Sequence, residues 1–407
     1  MKVARAGDRS LLIDVGEVSA RELHAYAAAA RRGPGVIACT PGQRSLFVVF
    51  DREAPLDFVV RPGEVSFTPR VHEVPVRFDG EDFNELLRHA GITPDEFRKR
   101  IPKLTSRYLG FRGGWAYLDG WPAAWAMPRR PTSRPVKRGS FAIAGTLAGF
   151  YTVDTPGGWN ILGRTDVRID IAPGDEIVIL PTERDMGLPP LIETPPPPDI
   201  GAAFTGNFAA VVKNPFDPEL AAYANRLVAN RDDAPILECA MLGPKVRLAQ
   251  RSVVAWAGAD SEISGVFEAE GELNVGRIRN GLRGWLAIGS EIRDAAPPRR
   301  TDRLNIRVLP GPHESPIRKI ECEVTPQLNR VGIRLKPLTP LKGAPADLPS
   351  CGMQFGTIQL HPDGSLVAMG PDHPMTGGYL QPLTVLWDER WKLAQLTPGE
   401  RVVFRVD

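Results

Sequence analysis

Two short runs in this sequence could gather chemistry. One is Thr155-Pro156-Gly157-Gly158-Trp159, the other Met375-Thr376-Gly377-Gly378-Tyr379. Paired glycines let a backbone approach a ligand closely. Amides exposed in such a corner could hold a carboxylate or another anion. Arg164 follows the first corner and carries the planar donor fork that matches a carboxylate. The same residues also read as tight barrel corners, with Trp159 and Tyr379 as packing residues, and the pattern leaves both readings open. Arg129, Arg130, Arg134, Lys137 and Arg138 form a basic cluster, either a solvated loop or a site for phosphate or carboxylate groups. His313 stands alone in Leu309-Pro310-Gly311-Pro312-His313-Glu314. It suits a general base near neutral pH or a plain surface loop. His361, Asp363, Asp372 and His373 lie close in sequence but match no metal-ligand spacing, so no metal site is expected.

Several function classes are excluded by what the sequence lacks. It has no G-x-x-x-x-G-K-[ST], no G-x-G-x-x-G and no G-x-S-x-G. With 50 Lys and Arg against 48 Asp and Glu, the net charge is +2. No global field recruits nucleic acid or an anionic membrane. The four cysteines, Cys39, Cys239, Cys322 and Cys351, are far apart and form no C-x-x-C pair. They read as reduced, mostly buried thiols of a cytoplasmic chain. Neither a signal-peptide core nor a run of about 18 apolar residues is present, so no membrane association is expected.

The elements that must position these residues follow from punctuation. The chain has 407 residues with 40 Gly and 40 Pro, too much proline for a long-helix protein. Residues 1–75 read as an α+β unit, with strands near Ser10–Val15 and Ser45–Phe50 around a helix at Ser19–Arg32. Ser19 and Glu22 have capping-box spacing. Asp82–Ala90 and Thr93–Arg100 read as a helical pair, the second opened by Thr93, Pro94 and Glu96. From there to residue 182, short apolar runs alternate with Gly and Pro, which favours a barrel or sandwich. Ser140–Ala144, Val167–Ile171 and Glu176–Leu180 are examples. Residues 183–203, holding Pro195 to Pro198, read as an extended inter-domain linker. Asp217 and Pro218 then open a helix as N-cap and first residue, and short strands fill the rest.

The two corners sit in an internal echo. Gly145-Thr146, the first corner and Pro173-Gly174-Asp175 precede a closing strand; so do Gly356-Thr357, the second corner and Pro398-Gly399-Glu400. The repeated order suggests related β-barrels in both halves.

Tyr151 to Thr165 resembles the signature of the B-type 5-oxoprolinase subunit, also called allophanate hydrolase subunit 1. Gly7 to Leu12, Arg44-Ser45-Leu46, and Leu109-Gly110-Phe111 with Tyr117-Leu118 resemble that family too. The second half resembles the C-type 5-oxoprolinase subunit, or allophanate hydrolase subunit 2, through Ala224 to Asn230, Leu237-Glu238 with Leu242-Gly243-Pro244, Ala257 to Asp260, Gly281 to Ala287, Gly311-Pro312, Asn329-Arg330-Val331-Gly332, Gly356 to Gln359 and Thr376 to Tyr379. These matches follow family order over nearly the whole chain, as in a fused B–C protein.

The resemblance implies a mostly β fold with an α+β N-terminal domain and cyclophilin-like β-barrels in both halves. Residues 76–182 would form the B-type barrel, and 204–407 a shortened C-type half with tandem barrels. It implies a part in ATP-dependent opening of 5-oxoproline, or a similar small amide or lactam, together with an A-type subunit. Copies of the chain could also self-associate. On this reading Arg164, Asn329, Arg330, Gln359, Thr376 and Tyr379 are cleft polar groups. Arg164 and Arg330 would hold carboxylate or phosphate oxygens. Gly157, Gly158, Gly377 and Gly378 would offer amides as an oxyanion hole does. Asp217 is the acid/base candidate beside its helix-cap role, with Arg330 and Thr376 as further catalytic candidates.

Departures fall at polar positions. The family's His before Leu-Gly-Phe is absent from Arg100–Ser106, its Gly-Phe-x-Pro-Gly-Phe run is here Gly110–Trp115, and its Gln-Asp-x-Gly-Arg opening is absent from Phe204–Phe216. They raise the alternative of a binding or regulatory protein, since B-type proteins also resemble an inhibitor of a sporulation kinase. A third reading, biotin-dependent carboxyl transfer to urea or a related amide, needs biotin on a separate carrier, because no Met-Lys-Met site occurs here.

Overall fold

The computed structural model describes all residues except 62–68, 110–115, 131–133, 169, 190–198, 207 and 345–347, and leaves out the side chains of 108, 109, 155 and 156. The Pro195–Pro198 run and Gly110–Trp115 therefore lie outside the described residues. The chain divides into two compact units. The first comprises Met1–Glu193, Asp347–Met353 and Pro374–Tyr379, and the second Thr194–Ala346, Gln354–His373 and Leu380–Asp407. No helix among the described residues is long and apolar enough to cross a membrane.

The first unit opens with β1 (Lys2–Arg5), β2 (Ser10–Asp14), α1 (Ala20–Arg31), β3 (Val36–Pro41) and β4 (Ser45–Phe50), its sheet ordered β1-β2-β4-β3. The expected capping box starts α1. Ser19 Oγ accepts from the Glu22 amide at 3.2 Å, and the Glu22 carboxylate accepts from the Ser19 amide at 2.8 Å. Such a cap contributes about 1 kcal/mol. Leu23, Ala27 and Ala30 share one helical face and pack on Leu11, Ile13, Leu46 and Val48.

A barrel follows, built from β5 (Val71–Val76), α2 (Phe83–Ala90), α3 (Pro94–Arg100), β6 (Leu104–Leu109), β7 (Ala116–Asp119), β8 (Arg134–Val136), β9 (Ser140–Ala144), β10 (Leu147–Phe150), β11 (Thr155–Gly157), β12 (Asn160–Arg164) and β13 (Glu176–Pro181). Its sheet runs β12-β9-β10-β7-β6-β13-β5, with β13 parallel to β5. An antiparallel bridge between Arg77 and Arg164 closes the seam. Period-two alternation decides the two faces. Leu118, Phe141 and Ile143 fill the interior, while Tyr117, Ala142 and Ala144 face outward into a separate small cluster. Arg107 ties the barrel to the N-terminal sheet; its guanidinium donates to Gln43 O (2.7 Å), Val18 O (2.8 Å) and Asp119 (2.7 Å).

Val167–Ile171 departs from expectation, because Val167, Arg168 and Asp170 lie outside any strand. Buried Asp175 explains it. Its carboxylate accepts from the Ala172 amide (2.8 Å), Arg70 (2.7 Å) and His72 (2.8 Å), so the chain turns where apolar alternation alone suggests extension.

The second unit begins with β14 (Ala202–Thr205), β15 (Ala209–Val212), α4 (Pro218–Leu227), β16 (Ile236–Ala240), β17 (Lys245–Leu248), β18 (Ser252–Asp260), β19 (Gly265–Ala269), β20 (Glu272–Asn274) and β21 (Arg279–Gly289). These make the sheets β15-β16-β21-β18-β19 and β14-β17-β20. Then come β22 (Asn305–Pro310), β23 (Lys319–Leu328), β24 (Gly332–Pro337), β25 (Cys351–Gly352), β26 (Thr357–Leu360), β27 (Leu366–Met369), β28 (Thr376–Gly377), β29 (Leu380–Val385), α5 (Trp391–Ala394) and β30 (Arg401–Val406). They form a closed barrel, β22-β29-β26-β27-β24-β23-β30, plus a β25–β28 ribbon that belongs to the first unit.

The internal echo has a structural cause. Substituting β22, β23, β24, β26, β27, β29 and β30 for β5, β6, β7, β9, β10, β12 and β13 turns one strand order into the other. The parallel pair of first and last strands recurs as β22–β30. So does the ribbon that holds the start of each corner, as β8–β11 and β25–β28.

Candidate functional site

The first glycine corner is held by a buried carboxylate. Asp82 precedes α2 without capping it and is 1% exposed. It accepts from Arg130, Arg134 and the Ile161 amide (2.7 Å). Burial opposes its ionisation, but these hydrogen bonds outweigh it and hold the carboxyl below the ordinary aspartate value. Both arginines then hold the corner. Arg134 pairs with Gly157 in the β8–β11 ribbon, and the Arg130 amide donates to Gly158 O at 2.8 Å.

Gly157 is required here because a Cβ would overlap the Tyr151 hydroxyl. That hydroxyl also takes a backbone hydrogen bond from Trp159. Tyr151 and Trp159 are buried, and Tyr117 packs on Trp159 with ring centroids 5.6 Å apart. Burial raises the pKa of Tyr117 and of Tyr151, so both stay neutral hydroxyls at neutral pH. Arg129 lies over the Trp159 ring, 5.9 Å from its centroid. Asn160 turns inward and donates to Pro128 O (2.9 Å), bracing the strand after the corner. Arg164 pairs with Asp79 at 2.8 Å, beside the barrel seam.

The second corner, Thr376, Gly377, Gly378 and Tyr379, belongs to the same compact unit as the first. Thr376 is buried and pairs with Gly352, and Gly377 pairs with Cys351. A Cβ at Gly352 would run into Phe47, so this ribbon lies tightly against β4.

Asp217, Asn329, Arg330 and Gln359 lie in the second unit. Asp217 caps α4 through Leu220 N (3.1 Å), and one Arg300 nitrogen donates to both its oxygens at 2.8 and 2.7 Å. Burial still pushes the Asp217 carboxyl up. Asn329 Oδ1 accepts from the Val331 and Gly332 amides at 2.8 and 3.1 Å, which makes it the turn residue between β23 and β24. Gln359 is buried in β26. Arg330 donates to Asp372 and Glu238, both at 2.7 Å, and to Asn214 O. Burial opposes its charge, yet Asp372 and Glu238 keep its pKa above the usual arginine value.

Glu238 is the hub of this second cluster. It also accepts from the Phe216 amide (2.8 Å) and Trp285 Nε1 (3.1 Å), with Arg283 Nε at 3.7 Å. Arg283 stacks over Phe216 at 4.3 Å, and burial lowers its pKa to about 10. Sequence reasoning missed Glu238, Asp82, Tyr117 and Tyr151 as site residues. The available signals were outward-facing tyrosines next to inward-facing apolar residues, and acids flanked by core residues. His313 Nδ1 accepts from the Gln381 amide at 2.9 Å, and burial lowers its pKa, so it is a neutral, anchored loop residue. Among the described residues, no group of three or more His, Cys, Asp or Glu is placed to hold a metal ion.

Known proteins resemble this chain in sequence and in fold. The carboxyltransferase-domain family matches twice, as subdomain C and D over residues 1–171 and as subdomain A and B over residues 214–298 and 290–406. The chain belongs to the carboxyltransferase-domain family, as a fusion of a B-type and a C-type subunit. It is similar to the B-type 5-oxoprolinase subunit of Bacillus subtilis (strain 168), 28% identical over 200 residues that cover 41% of this chain and 83% of that protein. The corresponding B-type 5-oxoprolinase subunit of Escherichia coli O157:H7 is 29% identical over 166 residues, covering 36% and 74%. The crystal structure of TTHA0988 aligns with 98% of this chain and 99% of its own, with a TM-score of 0.80 and 26% identity.

Proposed function

We propose that this chain is the fused B/C component of an enzyme assembly that opens 5-oxoproline, or a similar small lactam or amide, at the expense of ATP. One observation carries the reading: both glycine-aromatic corners, though far apart in sequence, fall in one compact unit of a carboxyltransferase-family chain. Neutral tyrosine hydroxyls and the Arg129 guanidinium beside the first corner suit a carboxylate-bearing lactam. The corner does not fit ATP. Gly157 is used in a ribbon, and the chain runs on into β12 rather than into a phosphate-binding helix N-terminus. We therefore assign phosphate chemistry to a separate A-type subunit and derive no ATP step on this chain. The test incubates 5-oxoproline and ATP with this chain, with a matching A-type subunit, and with both. Glutamate is expected only from the pair.

A second reading, a non-catalytic binding protein, is favoured by the use of Asp217 and Arg330 in internal ion pairs. It predicts lactam binding by the folded chain with no glutamate from the pair.

A further inference from the structure

The basic cluster at 129–138 resolves into residues with different duties. Arg130 and Arg134 are held by Asp82, with Glu85 and Glu81 as further partners. Lys137 and Arg138 are held by Asp154 at 2.9 and 3.5 Å. That leaves Arg129, exposed, with no carboxylate partner among the described residues. Its guanidinium lies over Trp159, the ring against which Tyr117 packs. A cation–π contact with the ring face favours this placement of the guanidinium while its N–H groups remain able to donate.

We propose that Arg129, lying over the face of Trp159, is the specificity residue of the first corner and selects carboxylate-bearing substrates over neutral amides such as urea. This rests on the functional reading above and narrows its substrate class. Arg129 touches the substrate carboxylate only and takes no part in bond breaking. Asp82 is a positioning residue, because it fixes Arg130 and Arg134 and so the backbone that places Arg129 and Trp159.

The test compares two ligands that differ by one group: 5-oxoproline and 2-pyrrolidinone, the same lactam ring without the carboxylate. Calorimetry on the full chain gives Kd for each, in wild type, Arg129→Gln and Arg129→Lys. Hydrogen bonds to a charged group differ enough from neutral ones to give a preference of about tenfold or more. Wild type should prefer 5-oxoproline by that factor. Arg129→Gln should lose the preference, Arg129→Lys should keep part of it, and 2-pyrrolidinone affinity should not change. Equal wild-type affinities, or a preference that survives in Arg129→Gln, overturn the Arg129 assignment and leave the lactam reading standing. No binding of either lactam overturns both.

Discussion

Replacing Asp82 by asparagine keeps the side chain's shape and removes its charge. The native carboxylate is 1% exposed and accepts from two arginines and the Ile161 amide. A hydrogen bond to a charged group contributes about 1.5–3 kcal/mol. The guanidinium side chains are 34% and 24% exposed, so water recovers part of what they lose. Exposed ion pairs fall to about 1 kcal/mol or less, which puts the expected loss for D82N at roughly 2–3 kcal/mol. The effect is pH-dependent with a definite sign. Burial works against the charged form, the arginines and Ile161 outweigh it, and the folded pKa lies below the unfolded value of about 3.9. The stabilisation is therefore complete above the unfolded pKa and is lost as pH falls through the folded one. Urea unfolding followed by tryptophan emission should show D82N weaker at neutral pH, with the gap closing below about pH 3.9. A neutral-pH gap under about 0.5 kcal/mol, the size of an ordinary surface change, refutes the clamp. So does a gap that persists unchanged in acid.

Three further outcomes follow from packing and burial. Gly157→Ala forces a Cβ into the Tyr151 hydroxyl and ring edge, so overpacking should cost about 1–3 kcal/mol in urea unfolding, and Tyr151→Phe in the same chain should recover only part of it, because ring carbons Cζ and Cε1 still lie 2.7 and 2.9 Å from that Cβ. Glu238→Ala leaves Arg283, whose side chain is 4% exposed, without its carboxylate; breaking such a buried pair costs about 3–5 kcal/mol in the same assay. Burial raises all four thiols, Cys39 to about 11, Cys322 and Cys351 to about 12, and Cys239 as well. Iodoacetamide near neutral pH should therefore label none of them in the native chain and all four after unfolding, as read by mass spectrometry.

The sequence showed local structure well because local signals carry their own partners. Ser19 with Glu22, and Thr93 with Pro94 and Glu96, form the expected capping boxes because each acid reaches back one turn. The barrel echo was visible because turn glycines and prolines sit at corners that a repeated topology needs. The candidate site was less legible, since its contacts join distant residues: Asp82 to Ile161, Glu238 to Arg330. Nothing near Asp82 distinguishes it from a helix cap, and only folding shows that its carboxylate serves two arginines instead. The basic cluster looked like one feature for the same reason. Its charges are divided by acids that lie far from it in sequence, and Arg129 stands apart only after that division.

Glutamate release from 5-oxoproline is the most direct measurement of the proposed role. With ATP, this chain and a matching A-type subunit present together, glutamate should accumulate, and omission of any one of the three should stop it. A folded, correctly paired mixture that leaves 5-oxoproline unchanged contradicts the role of this fused chain in lactam opening.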